Sequence, residues 1–419
     1  MHPALAVVVG LTVALLLSKK QVPMGLAFVA GAVSILVSAA RLQGAGPAFG
    51  ALLTIDTWLF AAQVTLVFVM SIVMRLAGNL DVLVDAAGAI IRNRRVRLAS
   101  LPALVGLLPM PGGAVVSAPL VDRTRCDVDL GAHEKNLINY WFRHIWEVSW
   151  PLYPPLLYVA ATFVPGGDMA RLVAGQVPLT LLLILGGWWF ILRRVPGGDD
   201  PLGDQRPTAA SLCHALAPLI IVIAAMQPCR LLLESTVSPE RVGGAGLVGA
   251  LVLGLLVAMG RRPALLLRAL GEKKVWSLLV LALGVKLFGS VVNEVGAAVA
   301  TAELVREAGL PPLLAMGFLP FFIGVVSGAT IMVVTAAFPV VVALVPADGG
   351  SGPLLPYLVF AYAMGFIGYM LSPVHMCLVL SSKFFGQSVT DAYGRLSGPL
   401  CLFFVGSVGV FLALLALLA

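Results

Sequence analysis

The chain has 419 residues, of which 60% are hydrophobic and only 11% charged, against roughly 25% charged in soluble domains. This excludes an ordinary soluble protein, and the net charge of +7 reads as the basic cytoplasmic fringe of a membrane protein rather than a nucleic-acid surface. The five cysteines (126, 213, 229, 377, 401) are scattered without a CxxC pair, so their spacing indicates neither a disulfide framework nor a zinc site.

Apolar stretches near 4–18, 22–40 and 50–74 are predicted as spans. The first is read as a span and not a signal peptide, because Lys19 and Lys20 follow its apolar run instead of preceding it. A polar, amphipathic link runs from Arg75 to Arg97. Residues 98–121 are apolar but interrupted by Pro109, Pro111, Gly112 and Gly113. Each arm is about ten residues, or roughly 15 Å of helix, which suits a re-entrant hairpin better than a crossing. A span at 136–163, broken around Pro151, and one at 171–192 complete the first half, and 196–210 reads as a cytoplasmic linker.

The same order then recurs. Spans are predicted near 211–228, 241–260 and 275–298, followed by an interrupted stretch at 312–344. A span at 354–382, broken at Pro373, and a last one at 397–419 close the chain. The predicted fold is an all-α polytopic membrane protein of two repeats, 1–195 and 211–419. Each repeat has five transmembrane helices, one of them broken, and one re-entrant hairpin. Five crossings is an odd number, so the second repeat enters the membrane inverted. This layout puts 20 of the 27 Lys and Arg on one side, which the positive-inside rule makes cytoplasmic, with both termini outside.

A lipid-exposed backbone cannot leave its amides unpaired, so interrupted helices at membrane depth must lie inside protein or against a cavity. Paired interruptions in two halves point to a transporter's binding site. A helix starting within the membrane offers unpaired N–H groups and a positive dipole end to an anion. The candidate substrate-binding residues on the interruptions are Gly112, Gly113, Ser117, Pro151, Tyr153, Ser327, Gly328, Thr330, Ser372 and His375. Arg143 and Lys286, inside spans, are candidate countercharges, and Glu147, Glu294 and His144 are candidate coupling groups, because charges in a bilayer are expensive to keep without a role. Arg143 and Glu147 are i,i+4 neighbours able to pair on one helical face. The competing reading is that Gly and Pro merely kink membrane helices and that the charges lock helices together. His133-Glu134 lacks the second histidine of a zinc protease, and no GxxxxGK[ST] or GxGxxG is present, so neither an enzyme nor an ATP site is expected.

The run Pro109-Met110-Pro111-Gly112-Gly113 with Ser117-Ala118-Pro119, then Asn139-Tyr140-Trp141-Phe142-Arg143-His144 and Trp150-Pro151-Leu152-Tyr153-Pro154, resembles a family of prokaryotic integral membrane proteins catalogued as domain of unknown function 401. That resemblance covers nearly the whole chain and implies residence in the cytoplasmic (inner) membrane. The layout is also similar to the wider ion transporter superfamily, which implies a moving transport domain, a scaffold domain and often a homodimer. The Ser-Asn-Thr hairpin-tip signatures of its sodium–dicarboxylate members are replaced here by Gly112-Gly113 and Ser327-Gly328-Ala329-Thr330.

The expected function is therefore secondary active transport of a small anionic solute, an organic acid, in a lipid bilayer. It would be driven by a proton or sodium gradient, with no other cofactor and no nucleic-acid partner. Carriage or flipping of an anionic lipid such as a polyprenyl phosphate is the alternative, and a channel is a third class.

Overall fold

The computed structural model describes residues 1–20, 22–40, 42–110, 112–124, 130–199, 208–345 and 354–418. Pro111, Arg41, Cys126 and residues 200–207 of the linker lie outside the described residues. Among those described, the repeating structure is entirely helical, apart from one isolated bridge between Asn93 and Asp199.

The first half runs α1 (Pro3–Lys19), α2 (Met24–Ser38), a short α3 (Ala45–Gly50), α4 (Ile55–Leu76), α5 (Asn79–Ile90), α6 (Arg94–Gly106), α7 (Gly113–Asp122), α8 (Ala132–Arg143), α9 (Pro154–Phe163) and α10 (Met169–Phe190). The second half runs α11 (Ala209–Leu233), α12 (Val242–Met259), a short α13 (Ala264–Leu270), α14 (Lys273–Glu294), α15 (Ala297–Glu307), α16 (Pro312–Ser327), α17 (Thr330–Ala336), α18 (Phe338–Leu344), α19 (Leu354–Met370), α20 (Met376–Phe384) and α21 (Val389–Leu418). Among the described residues, six helices are long and apolar enough to cross a membrane. They are α4, α10, α11, α12, α14 and α21. The chain is a multi-pass membrane protein.

Stretch 98–121 is not continuous, since α6 ends at Gly106 and α7 begins at Gly113. Both hairpin tips turn on a glycine with left-handed dihedrals, Gly112 (φ 70°, ψ 21°) and Gly328 (φ 60°, ψ 27°), a region that costs other residues about 1–2 kcal/mol. Side-chain caps sit on α1 (His2), α4 (Thr54), α6 (Asn93), α10 (Asp168) and α11 (Thr208). Helices α7, α9 and α20, which begin at the interruptions, have none.

The packing pairs exchange when the halves are exchanged. Helix α1 packs on α2 as α11 packs on α12, and α2 packs on α14 as α12 packs on α4. Likewise α6 packs on α8 as α16 on α19, and α7 meets α20 as α17 meets α9. Small residues set the closest crossings, as expected where lipid gives helices no hydrophobic reason to associate. A Cβ built on Gly368 would lie 2.0 Å from the Phe321 carbonyl oxygen, and one on Gly324 would lie 2.4 Å from that of Gly365. Gly368→Leu is therefore expected to force α16 from α19 and cost at least about 1–3 kcal/mol. Gly394→Leu, with nothing within 4 Å of its position, should leave the thermal midpoint in detergent unchanged.

Loop contacts fall into two sets at opposite ends of the long helices. At one end Arg75 Nη2 pairs with Glu272 Oε1 at 2.6 Å, and Arg95 Nε donates to the Val195 carbonyl at 2.8 Å. At the other, Arg241 Nε pairs with Asp56 Oδ1 at 2.6 Å, Arg230 Nη1 with Asp168 Oδ2 at 3.1 Å, and Gln63 Nε2 donates to the Gly244 carbonyl at 3.1 Å. Helix α4 carries Asp56 near one end and Arg75 near the other. The first set joins the loops rich in Lys and Arg, and the second joins loops poor in them.

Candidate functional site

All four interruptions meet at one cavity of about 220 Å³. Pro109, Met110 and Gly112 come from the first hairpin, and Arg143, Glu147, Tyr153 and Pro154 from the first broken helix. Gly328, Ala329 and Thr330 come from the second hairpin, and Tyr369, His375, Met376 and Cys377 from the second broken helix. The long helices close it with Met24, Phe68, Leu278 and Leu281.

Arg143 is the charge at its centre and is 2% exposed. Its Nη1 donates to Glu147 Oε1 at 3.1 Å and its Nη2 to the Met110 carbonyl at 3.1 Å, while Nε has no partner. Tyr153 Oη lies 3.5 Å from Nη1 and donates to the Gly106 carbonyl at 2.6 Å. The guanidinium fills the space above Gly113, where a Cβ would sit 2.5 Å from both Nε and Nη2. Gly113 thus seats the arginine; it is not among the residues lining the cavity. The pair is buried among hydrogen-bonding groups, which a buried ion pair requires.

The first broken helix ends earlier than the sequence suggests. Instead of breaking at Pro151, α8 stops at Arg143, because His144 Nδ1 donates to the Tyr140 carbonyl at 2.5 Å, the acceptor that the His144 amide would use in an α-helix. The His144 amide turns to Trp141, and i→i−3 bonds follow from Glu147 to His144 and from Ser149 to Trp146. Glu147 therefore stands on irregular backbone and not on a helical face, with its carbonyl accepting from Tyr362 Oη at 2.9 Å. Helix α9 then starts at Pro154-Pro155, and two prolines offer no N–H donors. Pro151 is buried in the irregular segment and gives no helix start. Uncapped N–H groups remain at α20, whereas at α7 the Gly113 amide donates to the Met110 carbonyl and the Val115 amide to that of Gly112.

The remaining predicted residues are placed around this centre or away from it. Ser117, buried on α7, donates to Asn139 Oδ1 at 2.6 Å, within a polar chain through Asn136, Ser381 and Ser382. Ser327 Oγ accepts from the Ala329 amide and Ser372 Oγ from the Val374 amide, both at 3.3 Å, so these hydroxyls shape the turns. Lys286 and Glu294 do not line the cavity. Lys286 Nζ donates to Thr162 Oγ1 at 3.2 Å and stands 5.3 Å from the Phe60 ring centre and 5.5 Å from that of Tyr158. Aromatic faces and a hydroxyl accommodate this mid-span charge. Glu294 is exposed at the end of α14.

Sequence reasoning missed Tyr369, Cys377 and the Met110 carbonyl at this cavity, and Tyr140, whose hydroxyl donates to the Met370 carbonyl at 2.8 Å. The Tyr-Trp-Phe-Arg-His run was a usable signal for Tyr140. Cys377 carried none, being a lone cysteine in an apolar stretch.

Fold and site together define a polytopic helical membrane protein with a cavity lined by its interrupted helices. The chain belongs to the family described as protein of unknown function DUF401, whose model matches residues 2–417. Comparison with curated proteins gives no match.

Proposed function

We propose that this protein is a secondary active transporter of a small anionic solute, an organic acid, coupled to a proton or sodium gradient. The observation that carries the reading is the single cavity lined by all four interruptions, with the buried Arg143–Glu147 pair inside it. Arg143 supplies the countercharge, the uncapped start of α20 supplies donors, and Glu147 is the coupling carboxylate. A cavity of about 220 Å³ suits a small acid.

The exchange of packing pairs between halves supports two inverted repeats, 1–195 and 211–419, each with a re-entrant hairpin. Helices α1, α2, α4 and α5 with α11, α12, α14 and α15 form the scaffold. The hairpins, broken helices, α10 and α21 form the moving part, in keeping with the architecture of the ion transporter superfamily, and the protein works as a homodimer in the cytoplasmic membrane. In a cysteine-free background, cysteines at Asn93 and Arg123 should label only from the cytoplasm and one at Glu303 only from outside. Labelling of all three from one side would contradict the inverted topology.

An anionic-lipid flippase is the second reading, favoured by one specific feature. A separate apolar groove of about 620 Å³ runs between α16, α19 and α21, lined by Leu313, Phe318, Phe321, Phe360 and Phe404 among others, and is wide enough for a prenyl or acyl chain. Thermal unfolding with carboxylates, inorganic phosphate and polyprenyl phosphate, at two pH values with and without sodium, separates the readings. Stabilisation by a small carboxylate that Arg143→Lys abolishes supports the first. Stabilisation by the lipid alone transfers the assignment to the second.

A further inference from the structure

Beside the Arg143–Glu147 pair, and not used by it, three side chains converge from two segments more than two hundred residues apart. One ligand atom from each of His144, His375 and Cys377 lies within 4.8 Å of the other two. All three residues are buried, at 0%, 2% and 6% exposure. We propose that they bind one transition-metal ion of the zinc class.

Hydrogen bonding suits both rings to this role. A carbonyl can only accept, so His144 Nδ1 carries the proton it donates to Tyr140, and Nε2 keeps its lone pair. Tyr140 Oη spends its one hydrogen on the Met370 carbonyl and lies 2.8 Å from His375 Nδ1. With that hydrogen on the carbonyl, Nδ1 of His375 donates to the Tyr140 oxygen and its Nε2 keeps a lone pair for a metal. Both Nε2 atoms are buried with no hydrogen-bond partner. Two buried lone pairs without donors are costly in an apolar interior. Metal-bound histidines show this same arrangement, one nitrogen on the ion and the other N–H on a fixed acceptor.

The donor set selects the ion. Two imidazoles and a thiolate suit zinc and its neighbours and disfavour sodium, magnesium or calcium, which want oxygen. Zinc holds nitrogen near 2.0 Å and sulfur near 2.3 Å, so tetrahedral ligands sit about 3.3–3.6 Å apart. Closing from 4.8 Å needs side-chain rotations of about 1 Å. Binding displaces the Cys377 proton, leaving a thiolate. Glu147 Oε1 is 3.9 Å from His144 Nε2 but is held by Arg143, so the fourth position opens to the cavity that His375 and Cys377 line. The metal site stands whatever solute that cavity takes.

The test is cobalt titration of the full-length, chelator-stripped protein in detergent. One Co²⁺ per chain is expected, with a near-ultraviolet thiolate-to-cobalt charge-transfer band that zinc removes by displacement. Cys377→Ser should abolish the band, and Cys213→Ser and Cys401→Ser, at exposed thiols, should keep it. Tyr140→Phe, which removes the acceptor behind His375, should keep the band but weaken affinity about 10–100-fold. Should Cys377→Ser fail to fold, X-ray absorption on the wild type decides, with one sulfur near 2.3 Å expected in the shell. A cobalt shell without sulfur, or a band undiminished in folded Cys377→Ser, overturns the proposal.

Discussion

Arg143→Met should destabilise the protein by about 3–5 kcal/mol, because it leaves the Glu147 carboxylate buried and unpaired. Glu147 is 5% exposed, and Arg143 is the one basic side chain paired with it in a non-histidine ion pair among the described residues. Replacing both partners, as Arg143→Met/Glu147→Gln, should recover most of the loss, since a buried ion pair exchanged for neutral groups of similar volume is often tolerated. The double variant should still fail to respond to any carboxylate in thermal unfolding, because the countercharge is gone. Equal stability of the single and double variants would mean that the two side chains do not depend on each other.

Gly113→Leu and Gly328→Leu should each abolish transport, for different reasons. At Gly113 the new side chain claims the volume of the Arg143 guanidinium, whose Nε and Nη2 lie 2.5 Å from the position of a Cβ, so the arginine is displaced and the anion loses its partner. At Gly328 the obstruction is backbone: a Cβ would lie 2.9 Å from the His375 amide nitrogen and 3.0 Å from Ser372 Oγ, at a φ of +60°. The second hairpin tip would be pushed off the second broken helix. Gly112→Ala is milder. Its Cβ meets only Leu380 and Met376 side chains at 3.5 Å or more, so its cost is that of the left-handed backbone, about 1–2 kcal/mol, readable as a lowered unfolding midpoint with transport retained.

Much of this architecture was legible because proline and glycine mark where membrane helices stop. The predicted stretch 312–344 resolves into α16 and the α17–α18 pair on either side of Gly328-Ala329, and 354–382 breaks between Met370 and Met376, around Pro373. The end of α8 was not legible, because it is set by a side chain, the His144 ring taking the Tyr140 carbonyl, and not by a breaker residue. Lys286 was singled out by its mid-span position alone. Only three-dimensional packing reveals the Phe60 and Tyr158 rings and the Thr162 hydroxyl that receive it. Asp56 pairs with Arg241 from the other half, a contact that no local spacing shows. Long-range pairing hid Cys377 as well: its neighbours His375 and His144 come from both broken helices, and no local spacing rule joins them.

The central claim is that the four interruptions form one anion site carried between two sides of a membrane. Solid-supported-membrane electrophysiology on reconstituted protein tests it most directly, using concentration jumps of a panel of small carboxylates and inorganic phosphate under proton or sodium gradients. The account predicts a saturable transient current for at least one carboxylate, dependent on one of the two gradients and lost in Arg143→Lys, Gly113→Leu and Gly328→Leu. A current that persists undiminished in both glycine variants, or that grows linearly with concentration without saturation, would contradict it.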